Sequence, residues 1–445
     1  MTTTDWEQIG REVVGHLQAL LRFNTVNPPG NELQVADYLL GVCRDAGIEA
    51  TIYESAPGRG NFVARIRGNG NARPLLLMAH SDVVSVEEDK WTHPPFGGEI
   101  VNGQVWGRGA VDTKDLVAVE LMIMLLVKRA NLTLDRDLIM ATFADEEAGS
   151  RLGAFWMWQH HRDAIDAEAA INEGGGQVLE IDGTRFYLCQ TGEKGGARMT
   201  LTAQGEPGHA SVPLPETAMS RAGQAVVALT QHTMPTVLTK TVARMLEAIA
   251  EALGGQTGEL VRQVAQNPDP EIIQQLPLSE AQKRGLLAIT RNTAVPTIIH
   301  GGHRINVIPG EITISVDGRM LPGQQPEQLY GEVRKLVGPH VKVEPAGPGH
   351  SGIEADPESA LFDTIKHTIA ELDPGAAAVP YLVAGGTDAR ALPGIKVYGF
   401  MPLRDHPEEF DLAHAHDERI SVSNLQFATR ALYEIATRYC GARGA

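Results

Sequence analysis

Three consecutive acids, Asp145, Glu146 and Glu147, follow directly on the apolar run Leu138–Ala144. Core packing gives no reason for acids there, and three adjacent carboxylates repel one another unless cations hold them. Other residues of metal-ligand type stand at comparable places. His80 and Asp82 follow Pro74–Met78, Asp112 lies in the glycine-containing stretch Gly107–Lys114, Glu173 follows Ala169–Asn172, and the late stretch His414–Glu418 holds two histidines and two acids. A dinuclear hydrolase needs two ions roughly 3.5 to 4 Å apart, a bridging carboxylate, terminal His and carboxylate ligands, and an unliganded base. Alternate residues of an extended chain share a face, so Asp82 is expected to accept the second imidazole N–H of His80. Neighbours at a strand end point apart, so one of Glu146 and Glu147 is expected to face metal and the other substrate. A non-ligating Glu takes a proton from water and later delivers it to a leaving amine. Singly, His80-Ser81-Asp82 is also an ordinary hydrogen-bonded pair, Asp112 a helix cap and Glu173 a turn residue. The joint pattern favours a metal site.

The elements that must position these residues are legible from periodicity. Ile9, Val13, Leu17, Leu20 and Leu21 recur at helical spacing, with Thr4 or Asp5 available as the cap. The Asn27–Gly30 turn breaks the chain, and Glu32–Ala46 restores the helical period before Gly47. Strands are expected at Glu49–Tyr53, Asn61–Ile66, Pro74–Met78, Leu138–Phe143 and Ala169–Asn172, and a long helix from near Asp115 through Leu126. The apolar strands read as covered on both faces, and alternating strand and helix predicts an α/β sheet with its site beyond the carboxyl edges. From Gly192 the pattern changes. Ala197–Ala203 and Arg304–Val307 alternate apolar and polar residues, as does a sheet with one solvated face. A helix at about Glu216–Gln231, a polar helix-prone section Lys240–Arg291, a strand Glu311–Val316, a helix after Pro326 and a strand Val341–Val343 complete an α+β unit. Pro345–Pro357 reads as a return linker, after which Ala360–Glu371 resumes the first pattern, so one domain is inserted into another.

At 445 residues two domains are the default, and the net charge of −17 argues against nucleic acid or anionic membrane as partners. Three scattered cysteines without C-x-x-C spacing suggest a reducing cytoplasm. No signal peptide or run of about eighteen apolar residues is visible.

The strings His80–Asp82, Trp106–Lys114, Asp145–Gly149, Gly205–Ser211 and Gly385–Asp388 carry a resemblance from roughly residue 10 to the C-terminus. In order and spacing the chain resembles the dinuclear-zinc metallopeptidase family of aminoacylase, carnosinase, carboxypeptidase S and succinyl-diaminopimelate desuccinylase. That resemblance implies a mostly parallel α/β/α catalytic domain at 1–193 and 355–445. It implies an inserted ferredoxin-like α+β lid and dimerisation domain at 194–354, lengthened here by an extra helical segment at about 234–295. One metal is then held by His80 and Glu173, the other by Glu147 and a late histidine, and Asp112 bridges both. Glu146 is the general base acting with a hydroxide between the metals, Asp82 orients His80, and His209 stabilises the oxyanion, in the family often from the partner subunit. The family register, a His, two free positions, then Asn or Asp followed by Glu, selects His414 over His416. Asn306 and Arg319 match substrate-contacting positions, Gly386 and Arg390, in and after the Gly385–Asp388 turn, are further substrate-binding candidates, and an Arg suits a free carboxylate. Asp145 is read as a support whose charge raises the basicity of Glu146.

The implied activity is cleavage of the amide bond of N-acyl amino acids or short peptides with a free C-terminal carboxylate, with dipeptidase and deacylase specificities left open. Two divalent ions per chain are implied, zinc first, with cobalt or manganese also suited to carboxylate and imidazole ligands. A homodimer through the lid is expected. The rival is a non-catalytic metal-bound protein that clamps amino acids or peptides, which needs neither a free base nor an oxyanion donor. His160, His161, His300 and His303 read as surface, strand or turn positions. Gly174–Gly176 lacks the ending and spacing of a phosphate loop.

Overall fold

The computed structural model describes residues 5–444. Within these the chain divides into two compact units, one formed up to Thr191, by Ala355–Tyr381 and from Thr387 onward, the other by Gly192–Glu354 and Leu382–Gly386.

The first unit is built on a ten-stranded sheet whose main strands, in chain order, are β1 (Glu49–Ala56), β2 (Arg59–Ile66), β3 (Leu75–His80), β4 (Leu138–Phe143), β5 (Ala169–Asn172), β6 (Thr184–Glu193) and β7 (Lys396–Gly399). Their spatial order is β1-β2-β4-β3-β5-β7-β6. The four central strands β4, β3, β5 and β7 run parallel, and the pairs on either side are antiparallel. Every residue of β3, β4 and β5 is buried, which is why they read as unbroken apolar runs. Leu75 lies opposite Leu138 and His80 opposite Phe143, so β3 and β4 end together. That register brings His80–Asp82 beside the Asp145–Glu147 turn at the carboxyl edge.

Helices α1 (Trp6–Leu21), α2 (Leu33–Asp45), α3 (Lys114–Arg129), α4 (Ala360–Leu372) and α5 (Val422–Tyr439) cover the sheet. The Asp5 carboxylate caps α1 by accepting N–H from Glu7 and Gln8 at 3.1 and 3.0 Å, whereas Thr4 lies outside the described residues. α3 is buried from Lys114 to Val127 on all sides, packed between α1 and α5, so it is apolar nearly all round. Among the described residues no helix is long and apolar enough to cross a membrane.

In the second unit four antiparallel strands lie in the order Thr293–His300, Glu311–Met320, Met199–Gln204, Val341–Pro345. Helix Ala218–Gln231 follows the first of them in sequence and Pro326–Val337 the third, giving β-α-β-β-α-β connectivity. Glu311–Met320 alternates exposed or half-buried with buried positions, and Ile312, Ile314 and Val316 join Leu201, Leu329 and Val333 in its core. The section Lys240–Arg291 resolves into helices Lys240–Leu253, Gly255–Gln266, Pro270–Ile273 and Glu280–Ile289. A Thr236–Arg291 bridge and a Val237 N–H donated to Thr290 O at 2.9 Å close the neck of this segment. Two sequence expectations change here. The strand placed at Arg304–Val307 is Val307–Ile308, pairing Gly208–His209, and the return linker contains Ile353–Glu354 paired to Gly192 and Glu193.

Candidate metal centre

His80 ends β3 fully buried. Its Nδ1 lies 2.9 Å from the main-chain O of Asp82, and its Nε2 lies 3.1 Å from Asp112 Oδ1 and 3.5 Å from Glu173 Oε1. An Nδ1–H donated to that carbonyl orients the ring so that Nε2 faces the two carboxylates, and Nε2 is the nitrogen that would bind a metal ion. The expected partner was the Asp82 carboxylate, which stands farther off, at 3.6 Å. It is spent on the neighbouring turn, accepting N–H from Glu146 at 3.0 Å, Glu147 at 3.1 Å and the Asn27 amide at 2.9 Å. Burial pushes Asp82 up to about 6, against the opposing effect of His80.

The turn after β4 is fixed by buried polar contacts. Asp145 adopts φ 68°, and its carboxylate accepts from Asn27 Nδ2 at 3.0 Å, Arg59 Nη2 at 3.2 Å and Leu152 N at 3.0 Å. Arg59 also grips Glu32 through Nε at 2.7 Å and Nη2 at 2.6 Å. Asp145 shares the Arg59 charge with Glu32 and serves to fix the turn, and the groups that shift Glu146 are others, which replaces the reading that its charge raises the basicity of Glu146. Burial first, then Glu173, pushes the Glu146 carboxyl well above the usual range, with His80 opposing and Asp388 and Glu147 adding.

Asp112 lies on a loop wrapped around one carboxylate. Glu418 accepts N–H from Gly109 at 3.1 Å, Val111 at 2.8 Å and Asp112 at 3.2 Å, and from Arg108 Nη1 at 2.6 Å. Arg108 Nη2 reaches the main-chain O of His414 at 3.3 Å. His414, at φ 63°, places Nε2 3.0 Å from Asp112 Oδ2 and 3.2 Å from Glu147 Oε2, whereas His416 pairs with Glu87 at 3.1 Å.

Two groups result, His80–Asp112–Glu173 and Asp112–Glu147–His414, each with its donor atoms within 4.8 Å of one another and sharing Asp112. Hydrogen bonds to Asp112 and Glu147 push His414 up to about 10. The Asp112 carboxyl is held low by hydrogen bonds from His414 and His80, which outweigh its burial. Burial raises Glu173, with His80 opposing. Three converging carboxylates thus need positive charge, and Glu147 Oε1 is buried without a hydrogen-bond partner. This donor set fits a pair of divalent cations.

The other sequence candidates divide between the units. His209, Asn306, Arg319 and Gly386 belong to the second unit. His209 is exposed, with Nδ1 at 2.6 Å from Ser211 Oγ, and Ala210 N–H donates to Asn306 O at 3.0 Å, so these two candidates share one strand pairing. Arg319 Nε donates to Asp317 at 2.9 Å. Arg390 is in the first unit, on Asp388–Ala391, with Nη2 3.5 Å from Ser150 Oγ and a buried Nε without a hydrogen-bond partner. His160 is a surface residue with Nδ1 on Trp156 O at 2.9 Å. Gly174–Gly176 is a close-packing element: a Cβ at Gly174 would sit 2.0 Å from Gln190 Oε1, and one at Gly176 2.0 Å from Met401 O. Sequence reasoning missed Asn27, Glu32, Arg59 and Arg108 as supports. Glu418 was visible only as the closing Glu of the His414 register.

A family model described as peptidase family M20/M25/M40 matches residues 76–438. Among curated relatives, N-fatty-acyl-amino acid synthase/hydrolase PM20D1 of Mus musculus is 27% identical over 81% of this chain and 73% of its own length. Probable carboxypeptidase S-like 2 of Dictyostelium discoideum is 27% identical over 80% of this chain and 69% of its own. Among solved structures, the M20 family metallo-carboxypeptidase Sso-CP2 from Sulfolobus solfataricus superposes with a TM-score of 0.71 at 18% identity, covering 96% of this chain and 99% of that one. Human carnosine dipeptidase 1 gives 0.68 at 14% identity, with 98% of both chains covered. The family match spans most of the sequence and includes all five residues of the two donor groups, and on that match the chain belongs to peptidase family M20/M25/M40 and is a hydrolase of peptide or amide bonds.

Proposed function

We propose that the protein hydrolyses the amide bond of N-acyl amino acids or short peptides that end in a free carboxylate. The observation that carries this reading is the pair of three-residue donor groups sharing Asp112, with Glu146 beside them and outside both. His80, Asp112 and Glu173 would hold one divalent ion and Asp112, Glu147 and His414 the other, with zinc the metal best suited to this mix of imidazole and carboxylate. When bound, such ions polarise a carbonyl and acidify water.

The protein's own residues supply the rest. Glu146 is the base: its carboxylate accepts a proton from water and passes it to the departing nitrogen, and a carboxyl raised by burial suits both transfers. Asp82 fixes the main chain of Glu146 and Glu147 and so holds one carboxylate outside the metal groups and the other in them. His209 donates to the developing oxyanion, its Nδ1 engaged by Ser211 so that Nε2 is the donor. Arg319, Arg390, Asn306 and Gly386 are the proposed substrate contacts, either arginine being suited to a free carboxylate. The second unit acts as lid and dimerisation domain. Its strand Thr293–His300 pairs on one side and exposes Val295, Ile298 and Ile299, which supports a homodimer. Cys43, Cys189 and Cys440 are buried free thiols, which supports a reducing, cytoplasmic location.

The names of the relatives, an N-fatty-acyl-amino acid hydrolase and a carboxypeptidase S-like protein, support this substrate class. The test is a cleavage screen of N-acyl amino acids of graded chain length and of dipeptides, on zinc-loaded protein. Turnover of either class is expected. Two bound ions with no amide cleaved across the panel would replace this reading with that of a binding protein.

A further inference from the structure

We infer that Glu418 is a positioning residue that determines whether the Asp112–Glu147–His414 group holds its ion, while the His80–Asp112–Glu173 group depends on it less. The inference rests on the proposed two-metal reading.

Glu418 is fully buried and touches neither group's donor atoms. Its two oxygens instead gather the N–H groups of Gly109, Val111 and Asp112 and the Arg108 guanidinium. Four donors on one carboxylate fix the backbone from which the Asp112 side chain projects. Arg108, pinned by Glu418, also holds the carbonyl of His414, which is four residues before Glu418 in the chain. His414 sits at φ 63°, and its side chain is 57% exposed, so packing contributes little to its placement. One carboxylate thus anchors two of the three residues of the Asp112–Glu147–His414 group. Of the other group it anchors only Asp112, because His80 is held by β3 and by Asp82 O, and Glu173 follows β5.

A neutral amide at position 418 turns one acceptor oxygen into a donor that faces N–H groups, and leaves the Arg108 charge unpaired. The consequence is selective. Glu418→Gln is expected to bind one zinc ion within a few-fold of wild-type affinity and the second about 10- to 100-fold more weakly, the usual effect of losing an outer support.

The experiment titrates chelator-stripped protein with Zn2+ alone, reading stoichiometry by elemental analysis and affinity by competition with a chromogenic chelator. The wild type is expected to bind two ions; a wild type that binds none ends the two-metal reading itself. Glu418→Gln is expected to retain one. Adding His414→Ala to it should change metal content little, whereas adding His80→Ala should remove the remaining ion. Glu409→Gln serves as the structural control. It removes a buried carboxylate that accepts from Gln104, Ser421 and Asn424, and it is expected to lower the melting temperature with both ions retained. Should Glu418→Gln fail to fold, Arg108→Lys decides, with the same selective weakening of one ion expected. Two ions at wild-type affinity, or equal weakening of both, in the folded variant would overturn the inference.

Discussion

Glu146 and Glu147 are adjacent carboxylates given different work by the hydrogen bonds around them. Both main-chain N–H groups go to Asp82, but only Glu147 reaches His414, at 3.2 Å. Glu146→Gln is therefore expected to keep two zinc ions by elemental analysis and to lose about 10²- to 10⁴-fold in kcat. Wild-type turnover in that variant would remove Glu146 from its assigned role. His209→Ala is expected to lose about 10²- to 10³-fold in kcat with unchanged metal content, because it acts only on developing charge. Ligand-type residues were legible in the sequence because several of them, in order, stand after apolar runs or in glycine-containing turns, a joint pattern that outweighs the ordinary reading of each. Their supports were not, since Asn27 meets Asp82 across 55 positions and Glu418 meets Asp112 across 306. Nothing local in either stretch marks that encounter.

The elements carry two further expectations. Arg59, at the start of β2, is 90% buried in its side chain and pairs with Glu32 ahead of α2 and Asp145 after β4. Arg59→Met leaves two buried carboxylates unpaired and is expected to lower unfolding free energy by about 3 to 5 kcal/mol, read from denaturant midpoints. On α3, Glu120 is wholly buried, with both carboxylate oxygens lacking a hydrogen-bond partner. Burial, reinforced by Asp115, raises it well above its usual 4.5. The folded chain then keeps a proton that the unfolded chain releases above about pH 4.5, so this contribution is complete below that value and is lost as pH rises toward the folded-state value. Glu120→Gln abolishes the titration, and its stability relative to wild type is expected to increase between pH 5 and 9; a constant difference in chemical denaturation would contradict this. The periodicity of α3 and the apolar runs of β3 and β4 were readable because burial on all sides leaves a strong local signature. Strand Thr293–His300 was not, because its exposed positions break the alternation that marks a half-buried strand.

For the whole molecule, removal of divalent ions by a chelator is expected to abolish hydrolysis and lower the melting temperature, with both restored by zinc, since an ion that binds only the folded chain stabilises it by mass action. A chelator-insensitive amidase would exclude the metal mechanism. Sedimentation equilibrium is expected to give twice the 47.9 kDa chain mass, and a monomer would require His209 to act within its own chain. By itself the sequence determined the central strands, because burial on both faces leaves an unbroken apolar run, and it offered the ligand-type residues, which pointed to a metal site only jointly, since each alone has an ordinary reading. It also carried the register that favours His414 over His416. The tertiary structure alone decided that Asp82 serves the Glu146–Glu147 turn more closely than the His80 ring, that Asp145 is an ion-pair partner of Arg59, and that Glu418 gathers the Asp112 loop. Those outcomes depend on angstrom-scale distances between segments tens to hundreds of residues apart, and a hydrogen bond is decided by that distance and by the direction of the donor, neither of which is a property of any one stretch of chain.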